Sequence, residues 1–493
     1  MRVVPKRARG RSSALLFLLL SAFAAPALRA QNLERSVPLD DGDPASPDKA
    51  YGLAVDPDGV HVYAPLAGNL SLASPQTANN DDVFKVDVLT GSIVAVQTVG
   101  LYPEEVAVAV DAAGAAREVF VSNGTDGTIS CLSPDLATTW ATVTLSPCFG
   151  AVFLGAFPYG LLLSPDQTRL YVTTAGGCDI VDVIDVDPTS ATYRTLVGSF
   201  VVPGAGGRPS WRAYPEMVLP ATQYDVGFTR SDAGFVKVDV TNPTSAVFHP
   251  VTPAQPFVYH SANEAVVIAG DRVLLPIYGG TTIRLFEADL ASGAVVRTLV
   301  VPPSVTSNTL HGLAVSPDGA LAAVTSLTGG DTLLVDVASF AVVAMLDHGA
   351  TSQPNDAAFL PDGSRLVVTL QNAGRLDVYK DLPGYDLALD LPATVAQGAS
   401  ATVGVRRAEH GRPYAVFVSV VPGPFAVGPY VLALGPPFFE LFSGVADVRG
   451  EGSATIPVPV DPVLSGLALY FQAATVDRDG DLRLSNGAQT IVL

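Results

Sequence analysis

The sequence predicts an all-β chain: a seven-bladed β-propeller followed by a small immunoglobulin-like β-sandwich. Three observations predict it. A strand–turn–strand segment recurs at Tyr51, Tyr159, His311 and Asn355, with Pro57-Asp-Gly59, Pro165-Asp-Gln167, Pro317-Asp-Gly319 and Pro361-Asp-Gly363 at the turns. A second signature, an apolar residue then Asp, closes the third strand of six repeats, at Asp87, Asp185, Asp239, Asp289, Asp336 and Asp377, with Ser133 in the second repeat. From Gly384 the repeat stops, and alternating strands with no helical period run to Leu493. Four-strand units spaced by about 40–55 residues mean a propeller. Alternating strands bounded by turn residues mean a sandwich.

The chain opens on a targeting segment, residues 1–30. Arg2, Lys6, Arg7, Arg9 and Arg11 form a basic region, Ala14 to Ala25 an apolar one, and Ala27-Leu-Arg-Ala30 a small-residue cleavage site. The apolar run is too short for a membrane helix. The expectation is an exported protein, periplasmic, cell-surface or extracellular, with no membrane span after cleavage. Without the six basic residues of that segment, 22 basic residues face 47 acids and the formal charge moves from −19 to −25. Such a charge argues against nucleic acid and anionic lipid as partners, and suits cations. An exported chain can hold a disulfide. Of Cys131, Cys148 and Cys178, the pair Cys148–Cys178 would bridge adjacent blades and leave Cys131 free; three free thiols are the other reading.

The propeller is expected over residues 31–382. Blade one runs from Tyr51 to Val96, with Leu70 to Asp82 as a polar loop. Later blades start near Glu104, Tyr159, Pro215, Asn263, His311 and Asn355. Pro presets φ for the first central turn position, and the following Asp can bond its own backbone. The strand-end aspartates are explained the same way, as Asx-type bonds. The seventh unit lacks a fourth strand after Asp377-Val-Tyr379. Residues 31–40 supply one: Leu33–Pro38 is expected beside Leu376–Tyr379, as the outer strand that removes an open edge.

Segments such as Pro158–Thr174 followed by Val183-Ile-Asp-Val186 resemble the YVTN-type (YncE-like) seven-bladed propellers of exported bacterial proteins. The resemblance covers about Leu33 to Asp381 and implies the architecture more than an activity. Related lactonase-type propellers share the fold and add catalysis, yet no motif carries over from them residue by residue. Residues 383–493 form the sandwich. Its expected strands are two within Ala388–Val405, then Tyr414–Val421, Gly452–Val458, Leu467–Asp477 and Gln489–Leu493. Gly450–Pro459 and the ending from Leu484 resemble a C-terminal module of exported bacterial proteins of unknown role.

In a propeller the first-strand starts converge on the mouth of the central channel. Aligned repeats place Tyr51, Glu104, Tyr159, Pro215, Asn263, His311 and Asn355 at one level. The next level holds Gly52, Glu105, Gly160, Glu216, Glu264, Gly312 and Asp356. Glu105, Glu216, Glu264 and Asp356 can bind a divalent cation such as calcium, with His311 or His260 joining them. A solvated acidic rim with no bound partner is the bland alternative. Asp477-Arg-Asp-Gly-Asp481 lacks the spacing of a calcium loop and reads as a hairpin turn. No nucleophile motif stands out, so no catalytic residue is assigned. Three functions remain. The first is a non-catalytic exported propeller binding a protein, glycan or small-molecule ligand at its mouth, with the sandwich as spacer. The second is a lactonase-like or other hydrolytic enzyme at the same mouth. The third is an ion-dependent structural protein of the envelope.

Overall fold

The computed structural model describes residues 32–40, 48–68, 81–147, 156–175, 180–201, 217–218, 225–230, 234–239, 247–251, 266–268, 272–279, 282–289, 294–301 and 310–493. The targeting segment, Cys148, Cys178, Glu216, His260 and Glu264 lie outside them. Among the described residues there is no α-helix, only strands and two single 3₁₀ turns, Gln371–Ala373 and Pro462–Leu464. Among the described residues no helix is long and apolar enough to cross a membrane. Contacts divide the chain into two compact units: Gln31–Leu360 with Arg365–Pro383, and a second that contains Gly384–Leu493.

Among the described residues the first unit contains seven antiparallel sheets of four strands. Sheet two, for example, is Pro103–Val110, Ala116–Asn123, Thr128–Leu132 and Thr139–Thr144, in that order from one edge to the other. Sheets one to six take their strands consecutively: sheet one from Ala54 to Thr98, sheet three from Phe157 to Val201, sheet four from Met217 to Val251, sheet five from Val266 to Val300 and sheet six from Leu310 to Asp347. Sheet seven consists of Pro354–Phe359, Leu366–Leu370 and Arg375–Lys380, and its fourth strand is Asn32–Pro38. That strand runs antiparallel to Arg375–Lys380, with Leu33 opposite Tyr379 and Val37 opposite Leu376.

The repeated turn explains the repeated residues. Gly59, Gln167 and Gly319 each donate to the carbonyl three residues back, at 3.0, 2.9 and 2.8 Å. All three have positive φ, 73°, 58° and 72°. Glycine adopts that conformation without penalty, and Gln167 pays for it. The turn aspartates cap the amide two residues on: Asp58 accepts from Val60, Asp166 from Thr168 and Asp318 from Ala320. Strand-end aspartates act likewise, Asp87 on Leu89 and Thr90, Asp185 on Asp187 and Asp336 on Ser339.

Asp377 is a correction to the sequence reading. Its strand continues to Lys380, so it is an interior residue and not a strand end. Its buried carboxylate accepts from Ser36 of the closing strand at 2.6 Å and pairs with Arg375 at 3.0 Å. Burial opposes its charge, but bonds from His348, Arg375 and Ser36 outweigh this and hold the carboxyl below its ordinary value.

Neighbouring sheets pack face to face. Phe120, Ile129 and Val143 of sheet two share a core with Leu170, Val172 and Ile184 of sheet three. Val62, Phe84 and Val86 of sheet one meet Val367, Leu376 and Val378 of sheet seven, with Val37 from the closing strand. Each large apolar side chain buried this way contributes about 1.5–3 kcal/mol. Buried carboxylates add polar clamps. Glu118 of sheet two, fully buried, accepts from Arg194 Nε at 2.7 Å and the Tyr193 hydroxyl at 2.6 Å, both in the turn that leads into the outer strand of sheet three. Arg194 also stacks 4.6 Å from the Trp140 ring.

The second unit has a three-stranded and a six-stranded sheet. They share a core of Val403 and Val405 from one, and Tyr414, Val416, Phe471 and Ala473 from the other. Asp477–Asp481 is a hairpin turn, with Asp481 N–H on Asp477 Oδ1 at 2.8 Å and Gly480 at φ 89°. One element departs from the sequence reading. The expected strand Tyr414–Val421 is Pro413–Val427, and it pairs with an unanticipated strand, Tyr430–Val445. Pro422, Pro424, Pro429, Pro436 and Pro437 hid this hairpin, because proline is tolerated only at edges and bulges of a sheet.

Candidate functional site

The two levels of aligned residues occupy one local structure. In sheets two, three, six and seven the pairing of first and second strands slips by one residue, between Pro103 and Val106, Pro158 and Leu161, Leu310 and Leu313, and Pro354 and Ala357. The residues between are Glu104–Glu105, Tyr159–Gly160, His311–Gly312 and Asn355–Asp356. Each is a bulge, which takes residues off the ladder and re-aims their side chains.

A hydroxyl from the second strand holds each bulge. Ser122, Thr173, Thr325 and Thr369 accept the N–H of Glu105, Gly160, Gly312 and Asp356, at 2.9, 3.0, 2.7 and 2.9 Å. Three of these hydroxyls also donate to the next sheet. Thr325 reaches the Asn355 carbonyl at 2.9 Å, Thr369 the Tyr51 carbonyl at 2.7 Å, and Ser122 the Tyr159 carbonyl at a longer 3.4 Å. The Thr369 bond joins sheet seven to sheet one. Sheet one carries Pro65 where these four carry the hydroxyl, and there Gly52 N–H bonds the Glu104 carbonyl directly at 2.8 Å. A side chain at Gly52 would collide with that carbonyl, its Cβ only 2.6 Å away. The sequence reading missed these hydroxyls. Their signal was present in Phe120-Val-Ser122, Tyr171-Val-Thr173, Ala323-Val-Thr325 and Val367-Val-Thr369.

At the first level the side chains converge. The Tyr159 hydroxyl lies 3.2 Å from His311 Nε2, although the residues belong to sheets three and six. His311 Nδ1 is 3.1 Å from the Asn355 carbonyl, which can only accept. Nδ1 therefore carries the proton, and Nε2 accepts from Tyr159. Burial drives the His311 pKa down to about 4, so the ring is neutral. Beside this pair, Tyr102, Phe157, Tyr159 and Ala67 form a cluster against which Tyr51 packs. The Tyr51 and Tyr102 hydroxyls are 2.8 Å apart, and Gln371 Nε2 donates to Tyr51 at 2.8 Å. Tyr51 is half-buried, whereas Glu104, Tyr159, His311 and Asn355 are buried.

Two of the four second-level carboxylates lie within the described residues. Glu105, half-buried, accepts from Val106 N–H at 3.2 Å, and Asp356, buried, from Ala357 N–H at 2.6 Å. Among the described residues no group of three or more His, Cys, Asp or Glu side chains is placed to hold a metal ion. Cys131 is buried and free, and burial pushes its thiol pKa up to about 12.

No family model matches the chain, and no curated protein matches it. Solved structures do. Hydrazine synthase from Kuenenia stuttgartiensis superposes with a TM-score of 0.51 at 15% identity, over 68% of this chain and 96% of that one. The beta-propeller domain of Myceliophteria thermophila Cps50 (Swd1) superposes with a TM-score of 0.50 at 12% identity, over 72% and 100%. At such identities the likeness defines fold alone. With the sheets of four antiparallel strands, it makes this an all-β protein built on a β-propeller.

Proposed function

We propose that the chain is an exported, non-catalytic binding or scaffold protein: a YVTN-type, seven-bladed β-propeller over residues 31–382, with residues 383–493 as an immunoglobulin-like sandwich that serves as spacer. Seven four-stranded sheets and the Thr369–Tyr51 bond between last and first support a closed ring of seven. The basic and apolar run before Ala30 supports export to the periplasm, cell surface or extracellular space.

One observation carries the binding role: two bulge residues, Tyr159 and His311, join Tyr51, Tyr102 and Gln371 in one connected cluster, of which Tyr51 is the half-buried member. Aromatic faces beside amide and hydroxyl groups suit a hydroxyl-rich ligand, so a glycan is the ligand class favoured over protein. One oxygen of Glu105 and one of Asp356 accept from the next backbone amide, which gives no support to a hydrolytic mouth. Calcium at Glu105, Glu216, Glu264 and Asp356 remains part of the proposal, and melting with calcium against chelator tests it. Any ligand that binds only the folded state must raise the midpoint.

The test of the main reading is native electrophoresis of the exported chain through gels containing soluble polysaccharides of the bacterial envelope. Retardation that is lost in Tyr51→Ala supports glycan binding. Unretarded migration on every polymer, or retardation unchanged in Tyr51→Ala, overturns it. Turnover of simple lactones by the same preparation would favour the enzymatic reading.

A further inference from the structure

The hairpin of Pro413–Val427 and Tyr430–Val445 is only partly covered. Its first strand also pairs with Ala468–Val476, but only from Tyr414 to Ser419. From Val420 the two strands continue as a ribbon, and Tyr430–Val445 is the last strand of the six-stranded sheet. The ribbon is apolar and open to water. Val420, Val421 and Phe425 are 51, 39 and 38% exposed and Val431 is 63% exposed; Phe439, 65% exposed, lies on the same outer strand where the ribbon joins the sheet, opposite Val418. Between Arg412 and Glu440 there is no charged residue, in a chain whose formal charge is −19.

These features conflict with what a solvated edge needs. A two-stranded ribbon alone is marginal in water. Edge strands are normally blunted by charged side chains, because their unpaired backbone groups invite another strand. Here proline is the one blunting device: Pro436 and Pro437 offer no N–H, which confines pairing to either side of them.

We propose that this ribbon is the contact between two copies of the chain, packed apolar face on apolar face about a two-fold axis. A lipid surface fits less well. The ribbon has no Trp, Lys or Arg to anchor it at a headgroup layer. A charged partner would find no counter-charge. A second copy supplies the same neutral side chains, and the contact closes at two. It also meets the acidic chain at a stretch without repulsion, with other charges screened beyond about 8–10 Å.

Size sets the strength. The eight residues of Val420–Val427 extend about 27 Å. Two strands are about 10 Å wide, so one face offers about 270 Å² per copy, a third of the ~800 Å² of a standard interface. Weak association, at the upper end of the micromolar range, follows.

Sedimentation velocity on the full exported chain, from ~1 to ~100 µM, tests this. Wild type is expected to move from monomer to dimer across that range. Val431→Asp and Phe439→Asp should each weaken dimerisation at least tenfold, with unchanged melting midpoints because both sites are exposed. Val460→Asp, at a 79% exposed valine of the same unit but off the ribbon, should dimerise like wild type. A wild-type monomer throughout, or a dimer indifferent to both ribbon changes, overturns the proposal. So does flotation with phosphatidylcholine vesicles that Val431→Asp abolishes, which would make lipid the occupant.

Discussion

Thr325→Val keeps the side-chain volume and removes one hydroxyl. In the native protein that hydroxyl is fully buried, accepts from Gly312 N–H at 2.7 Å and donates to the Asn355 carbonyl at 2.9 Å. The Asn355 carbonyl keeps a second donor in His311 Nδ1, at 3.1 Å. Gly312 lies in the bulge, off the ladder, so its N–H loses the bond that satisfied it. A buried donor stripped of its acceptor costs about 1–3 kcal/mol. One kcal/mol moves the midpoint by about 2–4 °C in a domain of 150–250 residues and by less in a larger one, so a fall of about 2–5 °C is expected. Thermal unfolding followed by circular dichroism reads it. Thr325→Ser should recover most of the loss, because it restores the oxygen. Thr139→Val, at an exposed outer-strand threonine, should be neutral within about 0.5 kcal/mol. Equal stability of Thr325→Val and wild type, or a serine variant as weak as the valine, would refute the clamp.

Further outcomes follow from the same geometry. His311 has a pKa near 4 in the fold against an ordinary 6.5. The unfolded chain therefore takes up that proton first. Its stabilising effect is complete above about pH 6.5 and declines as pH falls towards 4, by about 3 kcal/mol in total. The stability difference between wild type and His311→Gln should slope across that window and flatten above it, and a flat curve throughout would contradict the buried neutral ring. Arg194→Met leaves the Glu118 carboxylate buried without its cation and should cost about 3–5 kcal/mol by denaturant titration, whereas a cost under about 1 kcal/mol would deny the clamp. Cys131 should resist iodoacetamide in the native protein and react once unfolded, and peptide mapping of the oxidised protein should return Cys148 joined to Cys178. A Cys131–Cys148 peptide would contradict that pairing.

The turn chemistry was legible because Pro-Asp-Gly has one physical use, and it recurs with its spacing intact. The place of Leu33–Pro38 beside Leu376–Tyr379 was legible for a simpler reason: one sheet lacked a strand and one strand lacked a sheet. Side-chain direction at the bulges was not. Alignment put Glu105 and Asp356 at one level, but the choice between an opening and the next backbone amide depends on bulge geometry that periodicity does not encode. Nor could it show that Tyr159 and His311, from sheets three and six, meet. The hairpin from Pro413 was hidden by prolines that read as breaks.

The closing strand has a consequence for how the protein is made. Ser36 and Asp377, bonded in the fold, are 341 residues apart along the chain. Synthesis delivers the N-terminal strand first and its partner last. Until then Asn32–Pro38 stays unmatched while six sheets gather, and Arg375–Lys380 has an open flank. Searching across so long a loop adds only modest entropy for each doubling of length, but it makes the final pairing slow. The last sheet therefore records the completion of the chain: a polypeptide truncated before Lys380 can assemble the earlier sheets and still display an unpaired N-terminal strand. Under the export proposed above, closure would wait until nearly all of the propeller has emerged, and quality-control proteases would have a simple criterion for an unfinished product.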